Sequence, residues 1–352
     1  MEKNERENIV PYNARRRSAE PHPSTRMTET TSVSFSGDAV LEIIRWARSD
    51  SLEVPTAWRS HPAYALTRQW AKLAGQPNPD LEVDRILKEI ASEKPHAPPQ
   101  TRAASMASTE NLMASILGER DRVLHRAVPH IQRYLPASTP VRGRVLFAVF
   151  IPPYAFSMEG TIVINLTSAF WNQNPEKVFN LLVHEFYHNG FDEHCENAPG
   201  GETQTTAALV EEVLWQVQNE GMATYVAYRA KPTHLEVEDY RLLDDSAEVH
   251  RRFATVRKLL GDIESADPSA IPQLRARLWT EGVEDRAFYI VGAHMARQIE
   301  EKRGLEVLVR TVPDGARTFV EAYMSTSPPG EPLLLKEGSG VARYELEPTR
   351  HM

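Results

Sequence analysis

Residues 174–190 read NPEKVFNLLVHEFYHNG, and this segment is the strongest indication of the fold in the sequence. Asn174 is a residue type that caps the first N–H groups of a helix, and Pro175 suits the first helical position. An apolar run follows, and Gly190 is typical of the position just after a helix end. We therefore predict a largely buried helix that begins after Asn174 and ends before Gly190.

This predicted helix carries the pattern His184-Glu185-x-x-His188. A spacing of four residues places both imidazoles on one helix face, one turn apart, so that they can share one Zn²⁺. Glu185 projects about 100° away from that face, where it can accept a proton from water at the metal. Buried histidines beside a carboxylate need a partner that offsets their loss of hydration, and a metal ion is such a partner. The pattern thus predicts Zn²⁺ as cofactor, His184 and His188 as ligands and Glu185 as the catalytic base.

A second segment, NEGMATY at residues 219–225, carries a family resemblance. It resembles the gluzincin metallopeptidases, the thermolysin and aminopeptidase N group, whose second metal-binding helix carries Asn-Glu. Aminopeptidase N-like members have a string close to Asn-Glu-Gly-x-Ala-x-Tyr. The resemblance covers residues 161–225 and implies a zincin-like catalytic core with two metal-binding helices. It also implies that Glu220 is the third zinc ligand.

The separation of the two motifs departs from the thermolysin and aminopeptidase N pattern, because thirty-one residues lie between His188 and Glu220. A loop insertion accounts for the difference, since the entropy cost of closing a loop grows only logarithmically with its length. The longer spacing looks more like poorly characterised gluzincin-like families of zinc peptidases. A later segment that begins at Tyr289, YIVGAHMA, looks similar to those families too.

Two other residues are candidates for the third ligand. His194 follows His188 by six residues, which is the spacing of the third histidine in the metzincin pattern HExxHxxGxxH. The glycine of that pattern is displaced here, because Gly190 stands one position early. Cys195, the neighbour of His194 and the one cysteine of the chain, is a further possible ligand. The residues alone leave Glu220, His194 and Cys195 open, and the gluzincin resemblance favours Glu220.

A zinc peptidase also needs a hydrogen-bond donor for the oxyanion that develops at the attacked carbonyl. Gluzincins supply this donor from a tyrosine or histidine in the helical C-terminal part. The segment RAFYIVGAHMA at residues 286–296 offers Tyr289 as first choice and His294 as the alternative. Gly292 within the same segment indicates a helix that packs closely on another element.

Two short apolar segments, 144–150 (RVLFAVF) and 161–166 (TIVINL), are typical of buried strands, and helical patterns precede and follow them. The predicted fold class is therefore α+β, predominantly helical, with a small mixed sheet. By its position before the metal helix, 161–166 corresponds to the edge strand of zincins, on which an extended substrate pairs. Met158-Glu159, just before this strand, resembles part of the Gly-x-Met-Glu-Asn element with which aminopeptidases recognise a free α-amine. This resemblance makes Glu159 a candidate contact for a substrate amine.

The composition shifts along the chain in a way that divides it into four segments. The N-terminal segment is polar and rich in Ser, Thr and Pro, whereas the C-terminal tail is rich in Pro and Gly. The predicted division is a disordered segment at 1–36, a helical N-terminal region at 37–140, a zincin-like catalytic domain at 141–330 and an irregular tail at 331–352.

The overall charge and hydropathy exclude several classes of partner. The chain has 352 residues and a net charge of −8, whereas nucleic-acid-binding proteins usually present a basic surface. No apolar run approaches the roughly 20 residues that span a bilayer, and no signal peptide is visible, so we expect a cytoplasmic protein without a membrane partner.

The loop 191–204 is rich in acidic residues and is expected to border the cleft, where it would favour basic substrates. The sequence does not determine the oligomeric state.

These observations predict a zinc-dependent hydrolase that cleaves a peptide bond in a peptide or protein substrate by metal-activated water. Two alternatives remain open at this point. One is a zincin scaffold that serves as a binding or structural protein, and the other is a zinc hydrolase of a non-peptide amide. Glu185 favours an enzyme, because a scaffold without catalytic activity needs no base at that position.

Overall fold

The computed structural model describes residues 32–73, 76–97, 101, 104, 106–194 and 205–326. Helices dominate this part of the chain and surround one small mixed sheet, so the predicted α+β, predominantly helical fold class is confirmed. A π-helical segment, Leu278–Glu284, lies among these helices. The main helices are α1 (Asp38–Arg48), α2 (Pro62–Leu73), α3 (Asp80–Glu93), α4 (Ala107–Arg133), α5 (Pro175–Asp192), α6 (Thr206–Ala230), α7 (Glu238–Asp244), α8 (Ser246–Glu264), α9 (Ile271–Arg277), α10 (Ala287–Arg303), α11 (Leu305–Asp314) and α12 (Ala316–Met324).

The sheet has four strands: β1 (Ser32–Ser36), β2 (Arg142–Ala148), β3 (Ala155–Met158) and β4 (Thr161–Asn165). Their order in the sheet is β1-β2-β4-β3. Strands β1, β2 and β4 run parallel, and β3 pairs antiparallel with β4. Parallel neighbours require a long crossover, and helices α1 to α4 lie in the connection between β1 and β2.

Two sequence predictions about the sheet need correction. Strand β1 occupies Ser32–Ser36, although 1–36 was predicted to be disordered; the alternation of serine with Val33 and Phe35 is the period-2 signal of a strand. The predicted segment 161–166 forms β4, but β4 is an interior strand, and the edge beside it is β3. Residues 1–31 and the predicted tail 331–352 lie outside the described residues, and the predicted boundary at residue 140 stays a prediction.

The helix α5 begins as the sequence predicts and ends later. The Asn174 side chain accepts a hydrogen bond from the Glu176 N–H at 2.9 Å, and Pro175 is the first helical residue. The predicted end before Gly190 is wrong, because the helix continues to Asp192. A Cβ atom at Gly190 would lie 2.3 Å from Leu135 Cδ1. Glycine at this position therefore allows α5 to pack closely against the chain around Leu135.

The helices α6 and α10 cross with their backbones in direct contact. A Cβ atom on Gly292 of α10 would lie 1.8 Å from the Val217 carbonyl oxygen, and one on Gly221 of α6 would lie 2.2 Å from Gly292 Cα. The close packing expected at Gly292 is thus confirmed, and its partner is the helix that carries Glu220. None of the helices in the described part of the chain combines the length and apolar character that crossing a bilayer requires.

Replacing Gly292 with alanine is expected to lower the free energy of unfolding by about 1–3 kcal/mol, because the added methyl group pushes two helix backbones apart. Gly261 on α8 is a matched control, since a Cβ atom there would meet no atom within 4 Å. Its replacement with alanine should raise the free energy of unfolding by about 0.5–1 kcal/mol. Urea unfolding of both variants measures these changes, and equal stability of Gly292→Ala and the wild type would contradict the close crossing.

Candidate metal centre

Three buried side chains on α5 and α6 meet at one point. His184 Nε2 lies 3.0 Å from His188 Nε2, and each of these nitrogens lies 3.4 Å from Glu220 Oε2. Zinc bonds of about 2.0–2.1 Å in a tetrahedral arrangement separate neighbouring ligand atoms by about 3.3 Å. The three atoms therefore have the spacing of three corners of a zinc tetrahedron. Among the described residues, His184, His188 and Glu220 also form a group whose ligand atoms lie close enough together to hold one metal ion.

A hydrogen bond to Asn219 on α6 fixes the orientation of the His188 ring in this group. His188 Nδ1 lies 2.9 Å from Asn219 Oδ1, and because a carboxamide oxygen only accepts, Nδ1 donates to it; in the neutral form of the ring, which is the form that binds a metal, the lone pair is then on Nε2. Glu220 Oε2 is buried and makes no hydrogen bond of regular geometry within the described residues. Lone pairs that converge in a buried space need a cation, so these residues fit a zinc ion. Asn219 orients His188, a role that the sequence analysis missed.

Burial and mutual attraction shift the pKa values of the three side chains. Burial lowers the pKa of His184 to about 4, so that its imidazole is neutral. Burial also works against a charge on His188, but the Glu220 carboxylate outweighs it and raises the His188 pKa to about 9. Although burial favours the neutral form of Glu220, the charge on His188 holds the Glu220 pKa below its ordinary value. The carboxylate is therefore ionised, as a metal ligand must be.

Glu185 stands next to the group on α5 and differs from Glu220 in its environment. It is buried, with only 3 % of its surface exposed. Burial raises the pKa of Glu185 to about 7. A carboxylate with a pKa near neutrality is suited to accept and return a proton, which is the role predicted for this residue.

A cavity of about 940 Å³ opens beside the metal group, with His184 in its wall. This volume lies in the range of about 300–1,000 Å³ that is typical of ligand sites. Its wall is formed by Tyr154 just before β3, by residues 169–170, by α5, by Thr224 of α6, by residues 236–242, by α8 and by residues 284–286. The charged and polar side chains in this wall include Tyr154, Lys177, Asn180, Glu236, Glu238, Asp239, Arg251, Arg252, Glu284, Asp285 and Arg286.

The predicted oxyanion donor Tyr289 lies at the metal group. Its ring stacks on the His184 ring, with centroids 6.1 Å apart and planes 10° from parallel. The Tyr289 hydroxyl is buried and has no hydrogen-bond partner within the described residues. Burial raises the Tyr289 pKa well above its ordinary value, so the hydroxyl keeps its proton. The alternative donor, His294, packs instead against Phe253 and Tyr323.

The rival ligands and the remaining candidates lie elsewhere. His194 Nε2 lies 2.6 Å from Thr139 Oγ1, and His194 is not part of the metal-ligating group of the described residues. Cys195 lies outside the described residues, as does most of the loop 191–204. Glu159 lines a separate cavity of about 550 Å³ near the start of β1, not the one that His184 lines. The structure therefore brings together His184, Glu185, His188, Glu220 and Tyr289.

Fold and site together define a predominantly helical α+β protein with a buried His–His–Glu group that can hold a metal ion. Residues 83–326 match the model of the family described as "Putative zinc dependent peptidase (DUF5700)", and the chain belongs to this family. No curated protein matches the chain, and no solved structure matches it either. The family description and the donor set both assign zinc as the cofactor. The description also supports a peptidase, which implies a peptide or protein substrate.

Proposed function

We propose that the protein is a zinc metallopeptidase of the gluzincin type, in which His184, His188 and Glu220 bind the metal. The observation that carries this proposal is the convergence of the two Nε2 atoms and Glu220 Oε2 at tetrahedral spacing. When bound, Zn²⁺ supplies Lewis acidity, which acidifies a water molecule and polarises a carbonyl oxygen. Residues 141–330 form the catalytic domain in this proposal.

Glu185 and Tyr289 divide the remaining chemistry between them. Glu185 accepts the proton of the attacking water and returns it to the leaving amine, for which its raised pKa suits it. The Tyr289 hydroxyl donates a hydrogen bond to the carbonyl oxygen as negative charge develops on it. The buried hydroxyl without a partner supports this role, because a substrate oxygen would be its acceptor.

The edge strand β3 is the proposed platform for the substrate backbone. The Asn165 N–H donates to the Tyr154 carbonyl at 2.8 Å, so the backbone groups of Tyr154 face β4. In an antiparallel pair the backbone groups of alternate residues face opposite sides, so those of Ala155 and Ser157 face away from β4. An extended peptide can pair with them by strand addition. Tyr154 also lines the cavity beside His184, which connects this edge with the metal group.

We expect the purified wild-type protein to hold one zinc ion per chain and to cleave peptides from a mixed library. A chelator should stop cleavage, and added Zn²⁺ should restore it. Glu220→Gln should retain much less zinc after dialysis, because it loses a charged ligand. His194→Gln is the matched control and should retain one zinc ion per chain. Elemental analysis measures both variants, and zinc loss in His194→Gln with retention in Glu220→Gln would overturn the proposed ligand set.

A further inference from the structure

Arg252 on α8 is a buried arginine that the proposed chemistry does not use. Its side chain lines the same cavity as His184, and the residue is only 7 % exposed. Arg252 Nε is buried and has no hydrogen-bond partner within the described residues. The nearest ion-pair partner is Glu248, whose Oε2 lies 3.9 Å from Arg252 Nε. This distance is too long for a hydrogen bond.

Glu248 is also already engaged by the neighbouring arginine. Arg251 donates to Glu248 Oε2 from Nη2 at 2.6 Å and from Nε at 3.1 Å. The same carboxylate oxygen therefore accepts hydrogen bonds from an exposed arginine, and Arg252 has no hydrogen-bonded carboxylate among the described residues. Burial and the charge of Arg251 both lower the Arg252 pKa, which agrees with a poorly compensated positive charge.

The acidic side chains of the cavity do not supply the missing partner. Asp239 accepts a hydrogen bond at 3.0 Å from Arg286, with which it forms a buried ion pair. Glu284 accepts a hydrogen bond at 2.9 Å from a tryptophan indole. Glu236 and Glu238 are exposed, so that water solvates their charges.

Two further charged residues that line the cavity, Asp285 and Lys177, give the same result. Asp285 attracts Arg252, but the two form no hydrogen bond. Lys177, a second cation in the cavity wall, donates to the Phe170 carbonyl at 2.9 Å rather than to a carboxylate. An arginine that is removed from water without a bonded anion is strongly destabilising. The presence of such an arginine beside the cleft indicates that its guanidinium group binds an anion from outside the chain.

We propose that Arg252 binds a carboxylate group of the peptide substrate within this cavity. The planar guanidinium fork matches a carboxylate in two parallel hydrogen bonds, and exclusion of water strengthens them. The carboxylate is either the C-terminus of a short peptide or the side chain of an aspartate or glutamate. This specificity rests on the proposed function, and it differs from the preference for basic substrates expected from the loop 191–204.

The test uses four pools of mixed-sequence pentapeptides. Two pools contain Asp and Glu and two contain Asn and Gln instead, and each kind is made with a free C-terminal carboxylate and with a C-terminal amide. For the zinc-loaded wild type, we expect kcat/KM to be about tenfold to a hundredfold higher for the pools with the recognised carboxylate. A free-acid preference identifies the C-terminus, and a preference for Asp and Glu identifies the side chain.

The preference should depend on Arg252 and on its positive charge. Arg252→Gln should cleave the pools with the recognised carboxylate and the pools without it with similar kcat/KM. Arg252→Lys keeps the positive charge and should retain part of the preference. Arg257→Gln, an exposed position on the same helix, should behave as the wild type. Absence of a preference in the wild type, or equal loss of activity on all pools in Arg252→Gln, would overturn the proposal. If Arg252→Gln does not fold, the reduced preference of Arg252→Lys decides the question.

Binding separates this proposal from the proposed function. Zinc-loaded Glu185→Gln is titrated with each pool, and the dissociation constants are measured by calorimetry. If the wild type cleaves no peptide, the proposed peptidase function fails. The carboxylate proposal still stands if the matching pool binds about tenfold or more tightly and Arg252→Gln in the same background removes the difference. Equal binding of all four pools would sink the proposal.

Discussion

Glu185→Gln is expected to lower turnover by about 10²–10⁴-fold, which is the contribution of a positioned general base. Glutamine keeps the size and much of the hydrogen-bonding shape of glutamate, but it cannot accept the proton that the attacking water loses. The metal ligands are untouched, so the variant should still bind one zinc ion per chain. By contrast, His184→Ala should lose zinc and activity together. Peptide cleavage and elemental analysis of the two variants measure this difference.

Glu212 provides the matched control for this change. It is another buried glutamate, on α6, and it pairs with Arg275 at 3.4 Å rather than with the metal group. Glu212→Gln should therefore cleave peptides at close to the wild-type rate. If Glu185→Gln kept normal turnover on a true substrate, another residue would be the base. If no substrate were cleaved at all and Glu185→Gln bound partners as the wild type does, the scaffold alternative would gain support.

The elements that sequence reasoning found are those with strong local signals. The helix α5 was predicted from its cap, its proline and its apolar run, and β2 and β4 were predicted from short apolar segments. The order of the strands has no such local signal. Strand β3 enters the sheet as a hairpin partner of β4, which makes β4 an interior strand. Gly190 was misplaced for the same reason, because the contact with Leu135 that requires glycine lies far away in sequence.

The histidine ligands and the glutamate ligand of the metal group were predicted from different kinds of signal. The histidine spacing of α5 is a property of one helix, whereas the choice of Glu220 required a resemblance, because thirty-one residues separate it from His188. The roles of Asn219 and Arg252 depend on packing between helices. Arg252 stands three residues after Val249 and four before Val256, on the apolar face of α8, whereas Arg251 lies outside this face. This helical spacing is the sequence signal that separates the buried arginine from the exposed one.

Tyr289 is the residue whose predicted role depends most on its exact position. The stacking of its ring on His184 fixes the direction of the hydroxyl relative to the metal group. Arg286 lies over the Tyr289 ring, with its guanidinium carbon 3.2 Å from the ring centroid, and Asp239 holds this arginine in place. The ring is therefore packed on rigid neighbours. A donor held in this way needs no reorganisation when charge develops on the substrate.

Tyr289→Phe is accordingly expected to lower kcat by about 10²–10³-fold, the usual cost of removing one oxyanion donor. The phenyl ring can keep the stacking on His184, so zinc content and the unfolding temperature should stay close to wild type. KM should change little, because the hydrogen bond strengthens only in the transition state. Tyr225→Phe is the control: its buried hydroxyl donates to Glu300 at 2.8 Å, so its loss should affect stability and not kcat. Normal kcat in Tyr289→Phe together with a large loss in His294→Ala would reassign the oxyanion donor to His294.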